Sequence, residues 1–251
     1  MKQNLYFGGQ NMLSINQLMK YLRNHHHITV KSNQAQSLRN IGYYHGYKGY
    51  RFIRTPNQRI PFSFLDEVIA LNKFDMQLKT TIYPKVMFIE NALKSYVIEA
   101  VLHDCHSENL DTIFNKSITD YKSYTLGSRQ YHKQYAKRMT LKGKINNALL
   151  RDYSNKKQTV NHFFNADQPI PIWAIFESLT LGEFGTFFAC SNSNVKLKTS
   201  SILHFPSNLD TDGKITEFII YAIKDLRKAV AHNNTIFDTR FQTSTINNRL
   251  V

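Results

Sequence analysis

The chain has 251 residues, of which 42% are hydrophobic, with 10 glycines and 6 prolines. That suits a large globular domain, or a core with an appended lobe, and leaves no room for a low-complexity tract. Lysine and arginine outnumber aspartate and glutamate by 32 to 18, a net charge of +14, which points to a polyanionic partner, most simply nucleic acid. No cationic amphipathic stretch has a clean apolar face, and no run approaches the roughly 18 apolar residues of a membrane span. The start, MKQNLYFGGQ, lacks the apolar core of a signal peptide. Two cysteines, Cys105 and Cys190, stand far apart in unlike contexts, so no disulfide framework is expected and the compartment is a reducing one, the cytoplasm.

In chain order, MLSINQLMKYLRNHH predicts a short helix with Leu13, Leu18, Met19 and Leu22 at helical spacing and Ser14 or Asn16 as cap. SNQAQSLRNIGYYHGYKGYRFI begins helical, and its glycine- and tyrosine-rich second half predicts a turn into an extended aromatic segment. The stretch from Phe62 to Asp104 carries apolar residues three or four apart, at Leu71, Phe74, Leu78, Ile82, Val86, Ile89, Leu93, Val97 and Val101. It predicts one core helix, or two joined at Pro84, where a backbone donor is missing. Residues 108–125 read as a loop. Residues 169–192 predict a core helix after Pro169 and Pro171, interrupted by Gly182 and Gly185, and 214–234 a last one with a stripe of Ile215, Phe218, Ile219, Ala222, Ile223 and Leu226. The tail is polar. No run of alternating strands occurs, so the class is all-α, with at most a small hairpin.

From Lys122 to Lys157 the chain is strongly basic: Lys122, Arg129, Lys133, Lys137, Arg138, Lys142, Lys144, Arg151, Lys156 and Lys157 face Asp152 alone. Exposed helices ordinarily interleave both signs, so this run reads as a groove for an RNA backbone rather than a solvated face. Tyrosines are interleaved, and Tyr131 and Tyr135, which share a helix face, are read with the run as RNA-binding, while the Tyr43–Tyr50 segment would stack on bases or, the favoured reading, form a packed turn. His25–His27 cannot converge on one metal from regular structure, and the pair of His103 and His106 around Cys105 has no second cluster, so no metal site is expected. No glycine-rich nucleotide fingerprint is present, and no cofactor is expected.

Near the end stands LRKAVAHNNTIFD, with Arg227 and His232 five residues apart. On an ideal helix these lie about 140° around from each other, and Asn233 and Asn234 fit a helix end. An Arg/His pair is also what metal-free RNA cleavage requires. Histidine serves as acid or base near neutral pH, and arginine as a fixed cation on the phosphoryl oxygens. Both readings, helix end and catalytic pair, are open from the residues alone.

The segment resembles the closing Leu-Arg-Asn-x-x-Ala-His pattern of the Abi-like bacterial abortive-infection proteins. Three further segments agree in order. LRNIGYYHGYKGYRF resembles the family's Tyr-Tyr…Gly-Tyr segment at Tyr43, Tyr44, Gly49 and Tyr50. The long helix resembles its Phe-Asp-x-x-Leu-Arg…Ile-Glu-x-Ala-Leu pattern at Phe74, Asp75, Leu78, Ile89, Glu90, Ala92 and Leu93. PIWAIFESLTLGEFGTFF resembles its Pro-x-Trp…Glu-x-Leu-Thr-x-Gly segment at Pro171, Trp173, Glu177, Leu179, Thr180 and Gly182.

The resemblance implies a HEPN-like helical bundle with an N-terminal helical and aromatic segment (1–64), followed by a helical domain (65–251) with a basic insertion at about 108–165. It further implies a metal-independent endoribonuclease of phage defence or a toxin, with Arg227 and His232 catalytic. Homodimers would join two motifs in one site, and a non-coding RNA would serve in some cases as a regulator. Lys228 stands where the family has Asn, and with Asn233 and Glu90 it is a supporting candidate. Glu90 would orient His232, pair with Arg227, or simply lie on the surface. Asp75 is expected in a structural ion pair, and Glu177 has the same readings as Glu90, with a capping or surface carboxylate favoured. The alternative function is a non-catalytic module that holds a structured small RNA. A protein–protein adaptor has only the tyrosines in its favour.

Overall fold

The structure, a computed structural model, describes residues 13–51 and 59–236. The chain is all-α. Its helices are α1 (Ile15–His26), α2 (Ala35–Ile41), the single turn α3 (Gly49–Arg51), α4 (Leu65–Cys105), α5 (Leu110–Lys116), α6 (Arg129–Ser154), α7 (Gln158–Asn165), α8 (Ile172–Ser178), α9 (Leu181–Cys190), α10 (Ser193–Ile202) and α11 (Lys214–Ala231). Among the described residues there is no strand, only the isolated bridges Thr29–Phe64 and Asn109–Pro171. The described residues group into two compact units, one of 13–83 with 228–236, the other of 84–227. The division falls at Tyr83 and Pro84, inside α4.

In the first unit, α1 starts at a capping box. Gln17 donates its backbone N–H to Ser14 Oγ, and Ser14 returns its own to Gln17 Oε1 at 2.7 Å. The core gathers Leu22, Ile28, Leu38, Tyr43, Tyr47, Leu65 and Val68. The expected extended aromatic segment is instead a π-helical turn, Gly42–Lys48, running into α3. The wide turn brings Tyr43 and Tyr47 to 5.6 Å between ring centroids and buries both against His26. Gly46 makes it possible, because a Cβ there would lie 2.5 Å from the Ile41 carbonyl oxygen.

The second unit has its own core, including Leu93, Val97, Val101, Ile145, Phe176, Phe184, Phe187, Phe188 and Ile220. Residues 108–125 are not a loop. Asn109 Oδ1 accepts from Asp111 and Thr112 N–H and starts α5, and a 3-10 turn follows at Asp120–Ser123. The helix expected over 169–192 is two helices. Leu179 is extended and Thr180 caps α9, accepting from Glu183 N–H while Glu183 Oε2 accepts from Thr180 N–H at 2.8 Å. Gly185 lets α9 approach α11, since a Cβ there would meet Tyr221 at 3.0 Å.

α4 is one helix of 41 residues with Pro84 inside it. In its second half Val86, Leu93, Val97 and Val101 are buried, as the stripe predicts. In its first half the buried positions are Leu65, Val68, Asp75 and Lys79, while Phe74 is 53% exposed. The apolar stripe misplaces this face because two of its buried positions carry charge. On α11 the stripe also misses its best-buried member, Ile220 at 0% exposure.

Candidate functional site

α11 carries Arg227 just before its last turn, and His232 is the first residue beyond it. Within the second unit Arg227 Nε lies 3.7 Å from Glu90 Oε2. Lys94, one turn along α4 from Glu90, places Nζ 3.2 Å from its other oxygen, Oε1. Glu90 is buried, and its Oε2 accepts no hydrogen bond among the described residues. Desolvating a carboxylate is costly unless cations attend it, and here two do. The Arg227 side chain remains 45% exposed, and Glu90 is its one ion-pair partner among the described residues. Arg227 is thus paired by charge while its side chain stays accessible, as receiving an external anion requires.

In the first unit the chain turns sharply after His232. Asn233 adopts the left-handed conformation, with φ +53°. It donates its N–H to the Val230 carbonyl, and Asn234 donates to the Ala229 carbonyl at 2.8 Å. This pair of bonds closes the helix end, and asparagine is the non-glycine residue best suited to the conformation. His232 itself is exposed. The turn is pinned from α4. Lys79 Nζ donates to Asn233 Oδ1 at 2.7 Å and pairs with Asp75 Oδ2 at 2.6 Å. Asp75 Oδ1 accepts the Ile236 N–H at 2.8 Å, and Tyr50 donates to its other oxygen. Asp75 is fully buried and makes the expected structural ion pair. Lys228 is exposed on the last turn of α11.

A family model described as Abi-like protein matches residues 36–238. The chain belongs to the Abi-like protein family. No curated protein and no solved structure matches it. Membership links the chain to abortive infection, a bacterial defence against phage.

The Abi-like segments singled out in the sequence have definite places in the fold. Tyr43 and Tyr50 are buried, whereas Tyr44 is 62% exposed. Thr180 is the cap of α9, Glu177 is exposed, and Trp173 is 45% exposed. Two residues that the sequence reading passes over are Lys79 and Lys94. The available signal was spacing, because each stands four residues after an acid it pairs with, Asp75 and Glu90.

The basic run divides by what its donors do. Arg138 lies over Phe114, Tyr121 and Tyr135 and donates to the carbonyls of Ile118 and Phe114. Arg151 donates to the Ser178 carbonyl, and Lys157 to that of Glu177. Both also pair with Asp152. Burial works against the charge of Asp152, but donors on Ser178, Lys157 and Arg151 hold its carboxyl below the usual range. Lys142 reaches Asp111 at 3.6 Å across an exposed gap. Lys122, Arg129, Lys133, Lys137, Lys144 and Lys156 form no ion pair among the described residues, and of these Lys122, Arg129, Lys133 and Lys156 are exposed. Tyr131 and Tyr135 stack on each other 6.2 Å apart, both edge-on to Tyr121, with Tyr135 39% exposed.

Elsewhere, His26 accepts from or donates to Tyr43 Oη at 3.1 Å. Asp104, beside Cys105, accepts from Ser117, Asn192 and Asn194. Among the described residues no group of three potential metal ligands occurs, and no helix is long and apolar enough to cross a membrane.

Proposed function

We propose that the protein is a HEPN-type endoribonuclease of phage defence that cleaves RNA without a metal, with Arg227 and His232 as its catalytic residues. The observation that carries this reading is the state of Arg227: it pairs with a buried carboxylate, Glu90, while its side chain stays 45% exposed, five residues before an exposed histidine. In the reaction the substrate 2′-oxygen attacks the adjacent phosphorus as the bond from phosphorus to the 5′-oxygen breaks. His232 takes or supplies the proton that leaves the 2′-oxygen or reaches the 5′-oxygen, and Arg227 neutralises the phosphoryl oxygens as charge accumulates. The angular separation of the pair on an ideal helix, about 140°, favours two copies of the chain each lending a motif to one site. Lys122, Arg129, Lys133, Lys137, Lys144 and Lys156 supply cations for the strand, and Tyr131 and Tyr135 a stacking surface. The products predicted are a 2′,3′-cyclic phosphate and a 5′-hydroxyl. Ends carrying a 3′-hydroxyl and 5′-phosphate would contradict the scheme.

One observation favours a second reading. Lys228, exposed in the place of the family's Asn, adds a cation where an amide is usual. A non-catalytic module that holds a structured small RNA fits that change. It predicts steeply salt-dependent binding, no turnover, and no effect of His232→Ala.

A further inference from the structure

The family's Tyr-Tyr…Gly-Tyr segment and its closing segment meet inside the first unit, where they bound a pocket of about 140 Å³. Tyr44, His45 and Gly49 contribute from one side, Asn72 from α4, and Asn233 and Asn234 from the turn after His232. Among the described residues that line it there is no carboxylate, lysine or arginine. In a protein of net charge +14 this recess offers no lysine or arginine to grip a phosphate and no carboxylate to hold a metal ion.

Its polar groups are of another kind. Asn233 Oδ1 is occupied by Lys79, which leaves the amide N–H groups to donate. The Asn72 amide nitrogen donates to Tyr50 Oη at 2.9 Å, which leaves Asn72 Oδ1 to accept. Asn234 uses its backbone N–H for the helix end, and its side-chain amide makes no hydrogen bond among the described residues. Paired amide donors and acceptors match the edge of a neutral heteroaromatic ring. Tyr44 is the exposed ring at the rim, packed edge-on to Tyr43 at 5.2 Å with the Lys48 ammonium 5.3 Å from its centroid. A cavity of about 150 Å³ is the size that accepts one benzene ring.

We propose that this pocket is a base-recognition subsite for one pyrimidine of a single-stranded RNA, with Tyr44 as stacking partner and Asn72, Asn233 and Asn234 reading the base edge. A single six-membered ring matches its size, which makes a pyrimidine the base it fits. Because Asn233 immediately follows His232, the bound pyrimidine lies next to the scissile phosphate. The role beside the cut rests on the nuclease reading, whereas recognition of the base does not.

The test therefore uses ligands that cannot be cleaved. Full-length protein is titrated into labelled octamers of 2′-deoxyuridine and 2′-deoxyadenosine, and binding is followed by fluorescence anisotropy. Backbone charge is equal in the two probes, so the basic run contributes equally. The expected result is about tenfold tighter binding of the deoxyuridine octamer, reduced to near parity in Tyr44→Ala and in Asn234→Ala and retained in Tyr44→Trp. Both altered side chains are exposed, and unchanged circular dichroism confirms the fold. Equal binding of the two octamers by wild type, no binding of either, or a preference untouched by both alanine variants overturns the proposal. A pyrimidine preference in a protein that cuts no RNA leaves the subsite standing and removes the nuclease reading instead.

Discussion

In each unit a buried α4 acid is balanced by a lysine four residues on, Asp75 by Lys79 in the first and Glu90 by Lys94 in the second. Lys79→Met leaves Asp75 buried without its cation and Asn233 without its donor. Loss of one partner of a buried pair costs about 3–5 kcal/mol, so chemical denaturation should show a destabilisation of that order, with Lys79→Arg close to wild type. Glu90→Gln is a different case, since it removes the charge that orients Arg227 while keeping the shape. It should lower the cleavage rate with little change in RNA affinity, and a change confined to affinity would argue against an orienting role.

His26 gives a pH dependence. Burial first, then the charges of Arg51, Lys48 and His25, push its pKa down from 6.5 to about 4. The folded state favours the neutral ring, so this contribution is complete above about pH 6.5 and is lost as pH falls toward 4. Thermal melts should show that loss, and His26→Gln should flatten it. At this scale the sequence made Arg227, His232 and Glu90 legible as candidates through motif order. It hid Lys94 and Lys79, which pair with Glu90 and Asp75, because a lysine at i+4 looks the same whether it is solvated or buried.

Among the elements, legibility followed capping chemistry and periodicity. Ser14 announced α1, and the second half of α4 followed its apolar stripe. The first half did not, because Asp75 and Lys79 occupy buried positions that a hydrophobic pattern skips. Residues 169–192 read as one helix because their apolar content is continuous, yet the Thr180–Glu183 capping box restarts the helix at Leu181. Thr180→Ala should therefore cost about 1 kcal/mol and lower Tm by about 2–4 °C. The π-helical turn at Gly42–Lys48 had no sequence signature apart from its glycines. Gly46→Ala should perturb this turn and broaden the near-ultraviolet signal of the tyrosines packed there. An unaltered spectrum and stability would show that the Ile41 carbonyl yields readily.

For the whole molecule, the charge of +14 is divided between cations that hold the fold and cations left to solvent. Replacing Lys122 and Lys133 together by glutamine should reduce the salt slope of RNA binding by about 1.4, at about 0.7 for each single-strand phosphate contact, and leave Tm unchanged. Arg138→Gln should do the reverse, lowering Tm through the lost bonds to Phe114 and Ile118 with little change in slope. Net charge was plain from composition. Which cations are free was not, because the carbonyls that claim Arg138, Arg151 and Lys157 come from segments 20 to 27 residues away in the chain.

The central claim is that Arg227 and His232 cut RNA without a metal. Its most direct test is end-labelled total RNA incubated in excess EDTA with wild type and with His232→Ala, each stripped of co-purifying nucleic acid. The account predicts cleavage by wild type alone, with 2′,3′-cyclic phosphate ends. Intact RNA with both proteins, or equal cleavage by both, would contradict it.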